Sequence, residues 1–114
     1  MTKWITVILF LLCNLTYAQQ TGRASFYSEA HHGKRSADGS IFNMHKLTAA
    51  SNTFKLGTMV KVTNTQNNKS VVVKITDRGG FTKLGRVIDL SKAAFASIGD
   101  LRKGILNVIV EVVE

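Results

Sequence analysis

The run from Ser70 to Phe81, Ser-Val-Val-Val-Lys-Ile-Thr-Asp-Arg-Gly-Gly-Phe, limits the fold more than any other stretch of the chain. Val71 to Ile75 is apolar and mostly β-branched, so it reads as a buried strand. The run turns polar at Thr76, Asp77 and Arg78, and Gly79-Gly80 offers backbone angles that other residues avoid. The pattern predicts a rigid strand that ends in a carboxylate and a guanidinium beside a loop. Functional groups are commonly placed in that way.

Other segments repeat the β pattern. In Met59–Asn64, Val60 and Val62 alternate with Lys61 and Thr63, the period of a half-buried strand. Gln66-Asn67-Asn68-Lys69 has turn composition, so this strand and the one from Val71 form a hairpin. Arg23–Tyr27 has strand character after a short lead, Gln19 to Gly22, and Ser28–Ser40 reads as a long exposed loop. Leu47–Ala50 is small and apolar and is expected to pass through the core. Val87–Leu90 and Ile105–Val113 are further strands, the last with polar points at Asn107 and Glu111. One short helix is indicated, Lys92–Ile98, with Ser91 as N-cap, Gly99 at its end and an apolar face of Ala93, Ala94, Phe95 and Ile98. At least five short strands around one small helix predict a closed, mainly β barrel.

A chain of 114 residues is expected to hold one domain. Residues 1–18 read as a secretory signal: Lys3 is the positive flank, Trp4–Leu12 is apolar but too short to span a bilayer, and Ala18 suits cleavage before Gln19. Leu12 stands before Cys13 where a lipid-attachment site needs a small residue. The mature chain, 19–114, then has no cysteine and rests on its core alone. The expectation is an exported protein of the periplasm or cell envelope, with no stable membrane insertion after signal cleavage. The net charge of +8, one less without Lys3, points to a polyanionic partner. Export argues against nucleic acid and leaves wall polymers and anionic membrane surfaces. His31, His32 and His45 lack the convergent spacing that zinc needs, so neither a metal nor a cofactor is expected.

Ala24-Ser25-Phe26-Tyr27, Ser36-Ala37-Asp38-Gly39, Phe42, Leu47-Thr48-Ala49-Ala50, Gly57-Thr58, Val60–Asn64, Val71–Ile75, Thr76-Asp77-Arg78-Gly79, Phe81, Gly85-Arg86 and Ile88-Asp89-Leu90-Ser91 follow one another in a single order. This series resembles the rare lipoprotein A (RlpA) family of bacterial wall proteins over essentially all of the mature chain. The resemblance implies a six-stranded double-psi β-barrel with one short helix. It also implies an endolytic lytic transglycosylase whose partner is the peptidoglycan glycan strand, in particular strands lacking stem peptides. A non-catalytic, expansin-like wall-binding or wall-loosening module is the alternative.

Cleaving a glycosidic bond needs an acid for the leaving oxygen. A hydrolase adds a second carboxylate, whereas a lytic transglycosylase uses the sugar's own 6-hydroxyl as nucleophile and closes a 1,6-anhydro ring. By the resemblance Asp77 is the catalytic acid/base; on turn chemistry alone it is a carboxylate that caps backbone N–H groups. Arg78 is expected to face the substrate or another acid. Asp89 is expected to support Arg78 or the start of the helix. Phe26 and Tyr27 are candidates to stack on a sugar ring, with a place in the core as the other reading. The chain departs from the family pattern at three positions: Ser40 replaces a glutamate that assists catalysis, Ser51 replaces a histidine, and Gly80 replaces a proline.

Overall fold

The computed structural model describes residues 19–80 and 85–113. The expected signal segment, 1–18, and Phe81, Lys83 and Leu84 lie outside the described residues. The strands are β1 (Gln19–Phe26), β2 (Thr48–Ala50), β3 (Met59–Asn64), β4 (Ser70–Asp77), β5 (Arg86–Leu90) and β6 (Leu106–Val112), with α1 (Lys92–Ile98) between the last two. They form a closed barrel in the order β1-β5-β2-β4-β3-β6, in which β6 pairs back onto β1. The β1/β5 and β2/β4 pairs are parallel; the others are antiparallel. Closure leaves no free sheet edge, which suits a small domain.

Alternation drives the packing. Val60 and Val62 of β3, Val71, Val73 and Ile75 of β4, and Leu106, Val108 and Val110 of β6 point inward. Ala94, Phe95 and Ile98 of α1 join the same cluster, and Phe95 is fully buried. Ser91 caps α1 by accepting the Ala94 N–H. Asn64, buried at the end of β3, donates from Nδ2 to the Ile98 carbonyl at 2.8 Å and so ties the hairpin to the helix end.

Several expectations change. Gln19–Gly22 is not a lead: these residues pair with Val108–Glu111 as the first half of β1. The Val71–Ile75 run is buried on one face only, and Val72 is 42% exposed, because β-branching alone cannot tell one covered face from two. Ala49 and Ala50 enter the core, but Leu47 is 46% exposed. Thr76 and Asp77 belong to β4 rather than following it. Gly80 does not use the left-handed backbone region. Within the 28–47 loop, Arg35 bridges Ile41, and the Gly33 and Phe42 amides donate to Phe42 and Lys34 carbonyls. The 28–40 loop is exposed as expected, and it is also folded back on itself.

Candidate active site

Strand pairing brings two carboxylates to one level of the barrel. Ala50 of β2 is the register partner of Asp77 on one side and of Asp89 on the other. Asp89 is in turn the partner of Ser25 on β1. Four adjacent strands thus carry Ser25, Asp89, Ala50 and Asp77 in a row. With about 4.8 Å between neighbouring strands, the two aspartate backbones stand about 10 Å apart.

Asp77 is an acceptor on both oxygens. The Tyr27 hydroxyl donates to Oδ2 at 2.9 Å, and the Ala37 and Arg78 backbone N–H groups donate to Oδ1 at 2.9 Å each. The Ala37 donor comes from the tip of the folded loop, which is pinned by the Asp38 N–H on the Thr76 carbonyl at 3.1 Å. The turn after Asp77 is clamped from the 51–54 segment. Ser51 N–H donates to the Asp77 carbonyl, Asn52 exchanges two hydrogen bonds with Gly79, and Arg78 Nη1 donates to the Ser51 and Phe54 carbonyls.

Asp89 sits in a different environment. Its Oδ1 accepts from the Ser25 hydroxyl at 2.9 Å, and Ser25 accepts from Arg86 Nη1 at 3.3 Å. Burial pushes the Asp89 carboxyl above its ordinary value, and the pull of Ser25, Arg86 and His31 in the other direction is smaller. Burial also pushes the Tyr27 phenol far upward, helped by its hydrogen bond to Asp77 and the charges of Asp77 and Asp89. Tyr27 is therefore a fixed donor and not an acid. Its ring stacks on Phe42 with centroids 4.4 Å apart and meets His31 edge-on at 5.4 Å.

The structure sorts the expected site residues. Asp77, Tyr27 and Asp89 lie together. Tyr27 orients Asp77 through its hydroxyl, and its stacking on Phe42 buries the ring that was a candidate sugar platform. Phe26 turns to Phe95, 4.7 Å between centroids, at the edge of the core. Arg78 donates from Nη1 to the Ser51 and Phe54 carbonyls while the residue stays exposed, so the 51–54 turn holds part of the guanidinium expected to face the substrate. Asp89 contacts Ser25 in place of Arg78, and Ser91 caps the helix, so neither expected support role is met. Ser40 donates to Asp38 Oδ1 through its amide and its hydroxyl, and its carbonyl accepts the Ser36 N–H at 2.7 Å. Ser51 Oγ accepts the Thr53 and Phe54 amides and so closes the turn that clamps Arg78. Ser25 and Ala37 were missed. A small residue opposite a carboxylate in a parallel pair, and a backbone donor on a loop tip, leave no mark in the sequence.

The family model described as lytic transglycolase matches residues 19–110. The chain belongs to this lytic transglycolase family. Among curated relatives, "Probable endolytic peptidoglycan transglycosylase RlpA" of Synechocystis is 52% identical over 93 residues, 82% of this chain and 29% of the relative. "Endolytic peptidoglycan transglycosylase RlpA" of Vibrio cholerae is 46% identical over 94 residues, 82% of this chain and 35% of the relative. The chain thus spans about a third of the length of these relatives. The RlpA resemblance of the sequence holds throughout the described barrel. Among solved structures, the Streptomyces papain inhibitor superposes with a TM-score of 0.69 at 24% identity, covering 84% of this chain and 94% of that one. A Clavibacter michiganensis expansin, solved as a mutant in complex with cellohexaose, gives 0.67 at 22% identity, covering 84% and 50%. At such identity these two likenesses establish the double-psi barrel fold and nothing more.

Proposed function

We propose that this lytic transglycolase barrel acts after export as an endolytic transglycosylase on the glycan strands of peptidoglycan. The observation that carries the reading is the pair of carboxyls flanking Ala50 in unlike surroundings. Three donors fix the orientation of Asp77, which takes the proton of the attacking hydroxyl in the proposed step. Asp89 is pushed by burial toward holding one. In this reading the two carboxyls divide the acid and base duties between them.

In the proposed step the Asp89 carboxyl gives its proton to the glycosidic oxygen as the C1–O4 bond of the muramic residue breaks. The 6-hydroxyl of the same residue attacks C1, the C1–O6 bond forms, and its proton passes to Asp77. No water is consumed, and the product ends in a 1,6-anhydro ring. The proton gained by Asp77 returns to Asp89 through solvent or through the departing hydroxyl. Tyr27 and the Ala37 amide hold Asp77 in orientation, so the intramolecular attack meets a fixed base. Arg78 acts by keeping the 51–54 and 77–80 segments together.

A second reading, a wall-binding or wall-loosening module, draws on Ser40 and Ser51. Both hydroxyls are engaged in local turns and bring no titratable group to Asp77. Digestion of glycan strands stripped of stem peptides, with mass spectrometry of the ends, separates the two. The parent is expected to form 1,6-anhydro ends, and Asp77→Asn to lose about 10²- to 10⁴-fold in rate, the usual contribution of a positioned acid or base. Asp89→Asn is expected to lose rate as well while still binding the strands. Full activity in Asp77→Asn ends the catalytic assignment; strands bound but never cut by the parent leave the module reading.

A further inference from the structure

Thr76, next to Asp77 in the chain, lines a cavity of about 200 Å³ between the folded 34–46 loop and strands β2 and β4. Lys46 and Lys74 line it, together with Ser36, Asp38, Ile41 and Thr76. Neither lysine ammonium has an ion-pair partner within 4.0 Å among the described residues. Asp38 is the one carboxylate on the wall. Its hydrogen bonds from Ser40 hold it below the usual carboxylate range, and the Lys74 charge adds to that effect. Two positive charges against one negative leave the cavity cationic.

Ser36 supplies the second observation. It is 6% exposed, and its Oγ has no hydrogen-bond partner among the described residues. Buried hydroxyls are paired as a rule, so an unpaired one on the wall of a cationic cavity marks a place for an acceptor from outside. A lysine ammonium offers a compact charge and three donors, and a serine hydroxyl a fourth, which together suit a carboxylate. Ile41, exposed on the same wall, offers an apolar surface to the carbon that bears such a group.

We propose that this cavity is a subsite for the free carboxylate of a muramic acid residue. The proposal rests on the wall-glycan reading above and deepens it. The lactyl carboxylate is the anion that a wall glycan carries on its sugar, and it is free only where no stem peptide is attached. An amide at that position removes the charge that the lysines meet. It also adds a peptide to a cavity smaller than the ~300–1,000 Å³ typical of pockets that enclose a whole ligand. The cavity therefore selects stripped strands over substituted ones. Its place fits this role. Thr76 on its wall precedes Asp77, with Cα atoms about 3.8 Å apart, and Ala37 after Ser36 donates to the Asp77 carboxylate. Cavity and carboxyl serve neighbouring groups of one sugar.

The test is titration of the protein, followed by amide shifts in two-dimensional nitrogen–proton spectra. The probes are N-acetylmuramic acid, N-acetylglucosamine, which has the same ring without the lactyl group, and inorganic phosphate. Saturable shifts at the Ser36 and Lys74 amides are expected with N-acetylmuramic acid alone. The doubly substituted Lys46→Gln, Lys74→Gln protein is expected to bind it at least about tenfold more weakly. Each single variant is expected to lose part of that, and Ser36→Ala provides a third, uncharged check. Equal shifts from both sugars, equal binding of phosphate, or unchanged affinity in all the variants overturns the subsite. Muramic acid binding without 1,6-anhydro product keeps the subsite and defeats the cleavage reading. Cleavage without those shifts does the reverse.

Discussion

Burial and the Ser25 hydroxyl act in opposite directions on the Asp89 carboxyl, and burial wins. The folded protein therefore binds the Asp89 proton more tightly than the unfolded chain does. That contribution to stability is fully present below the ordinary aspartate value, about 3.9, and is lost as pH rises through the raised folded value. Asp89→Asn keeps an acceptor for Ser25 and has no proton to lose. The difference in melting temperature, variant minus parent, is expected to grow more positive between acidic and neutral pH. Melts across a pH series check this, and a difference that stays constant or falls would remove burial as the dominant effect. At Asp77 the surroundings are built from donors instead. Tyr27, Ala37 and Arg78 come from the end of β1, the folded loop and the following turn, so its orientation depends on three separate segments.

The elements hold one another through polar side chains at their ends. Ser91 is fully buried between β5 and α1. Its Oγ accepts the Ala94 amide and donates to the Lys46 carbonyl at 2.6 Å, so one hydroxyl caps the helix and latches the end of the long loop. Ser91→Ala removes these contacts, and with them the Thr48 N–H bond to Oγ at 3.4 Å, and is expected to cost about 1–2 kcal/mol, the upper part of the usual range for an N-cap. For a domain of this size that is a fall of roughly 4–8 °C for each kcal/mol, measurable in a thermal melt. An unchanged melting temperature would mean that water replaces the hydroxyl at these partners. The 51–54 and 77–80 segments form the other such joint, through Asn52 and Arg78. Two turns that are far apart in sequence thus stiffen each other beside Asp77.

As a whole the molecule is a small barrel with an excess of basic side chains, +8 over the full chain. Most of its lysines are exposed, so on the proposed reading they attract the wall at long range, and that attraction is screened within about 10 Å at 0.1 M salt. Retention of the mature barrel on isolated sacculi is expected to weaken steadily as salt rises, as a pull-down series across ionic strength would show. Retention that ignores salt would place the binding in stacking and hydrogen bonds instead. The carboxylate subsite predicts more: Lys46 and Lys74 are exposed, so the advantage of stripped sacculi over substituted ones is expected to shrink as salt rises, and by more in the parent than in the Lys46→Gln, Lys74→Gln protein.

The sequence by itself determined the local features. Strand β3, α1 and its Ser91 cap were legible to the residue, because alternation of period two, a capping serine and a closing glycine act within a few residues. The family and the closed barrel were legible from the ordered series of short segments. Tertiary structure decided the rest. Residues as distant as Ser25, Ala37, Ala50, Asp77 and Asp89 meet only through pairings between strands that are not consecutive in the chain. No local pattern encodes those pairings. The same is true of the inward turn of Phe26, the engagement of Arg78 with the 51–54 carbonyls, and the unpaired Ser36 hydroxyl beside two lysines. Each depends on what lies opposite across the barrel, and the free energy of that contact belongs to the pair and not to either segment alone.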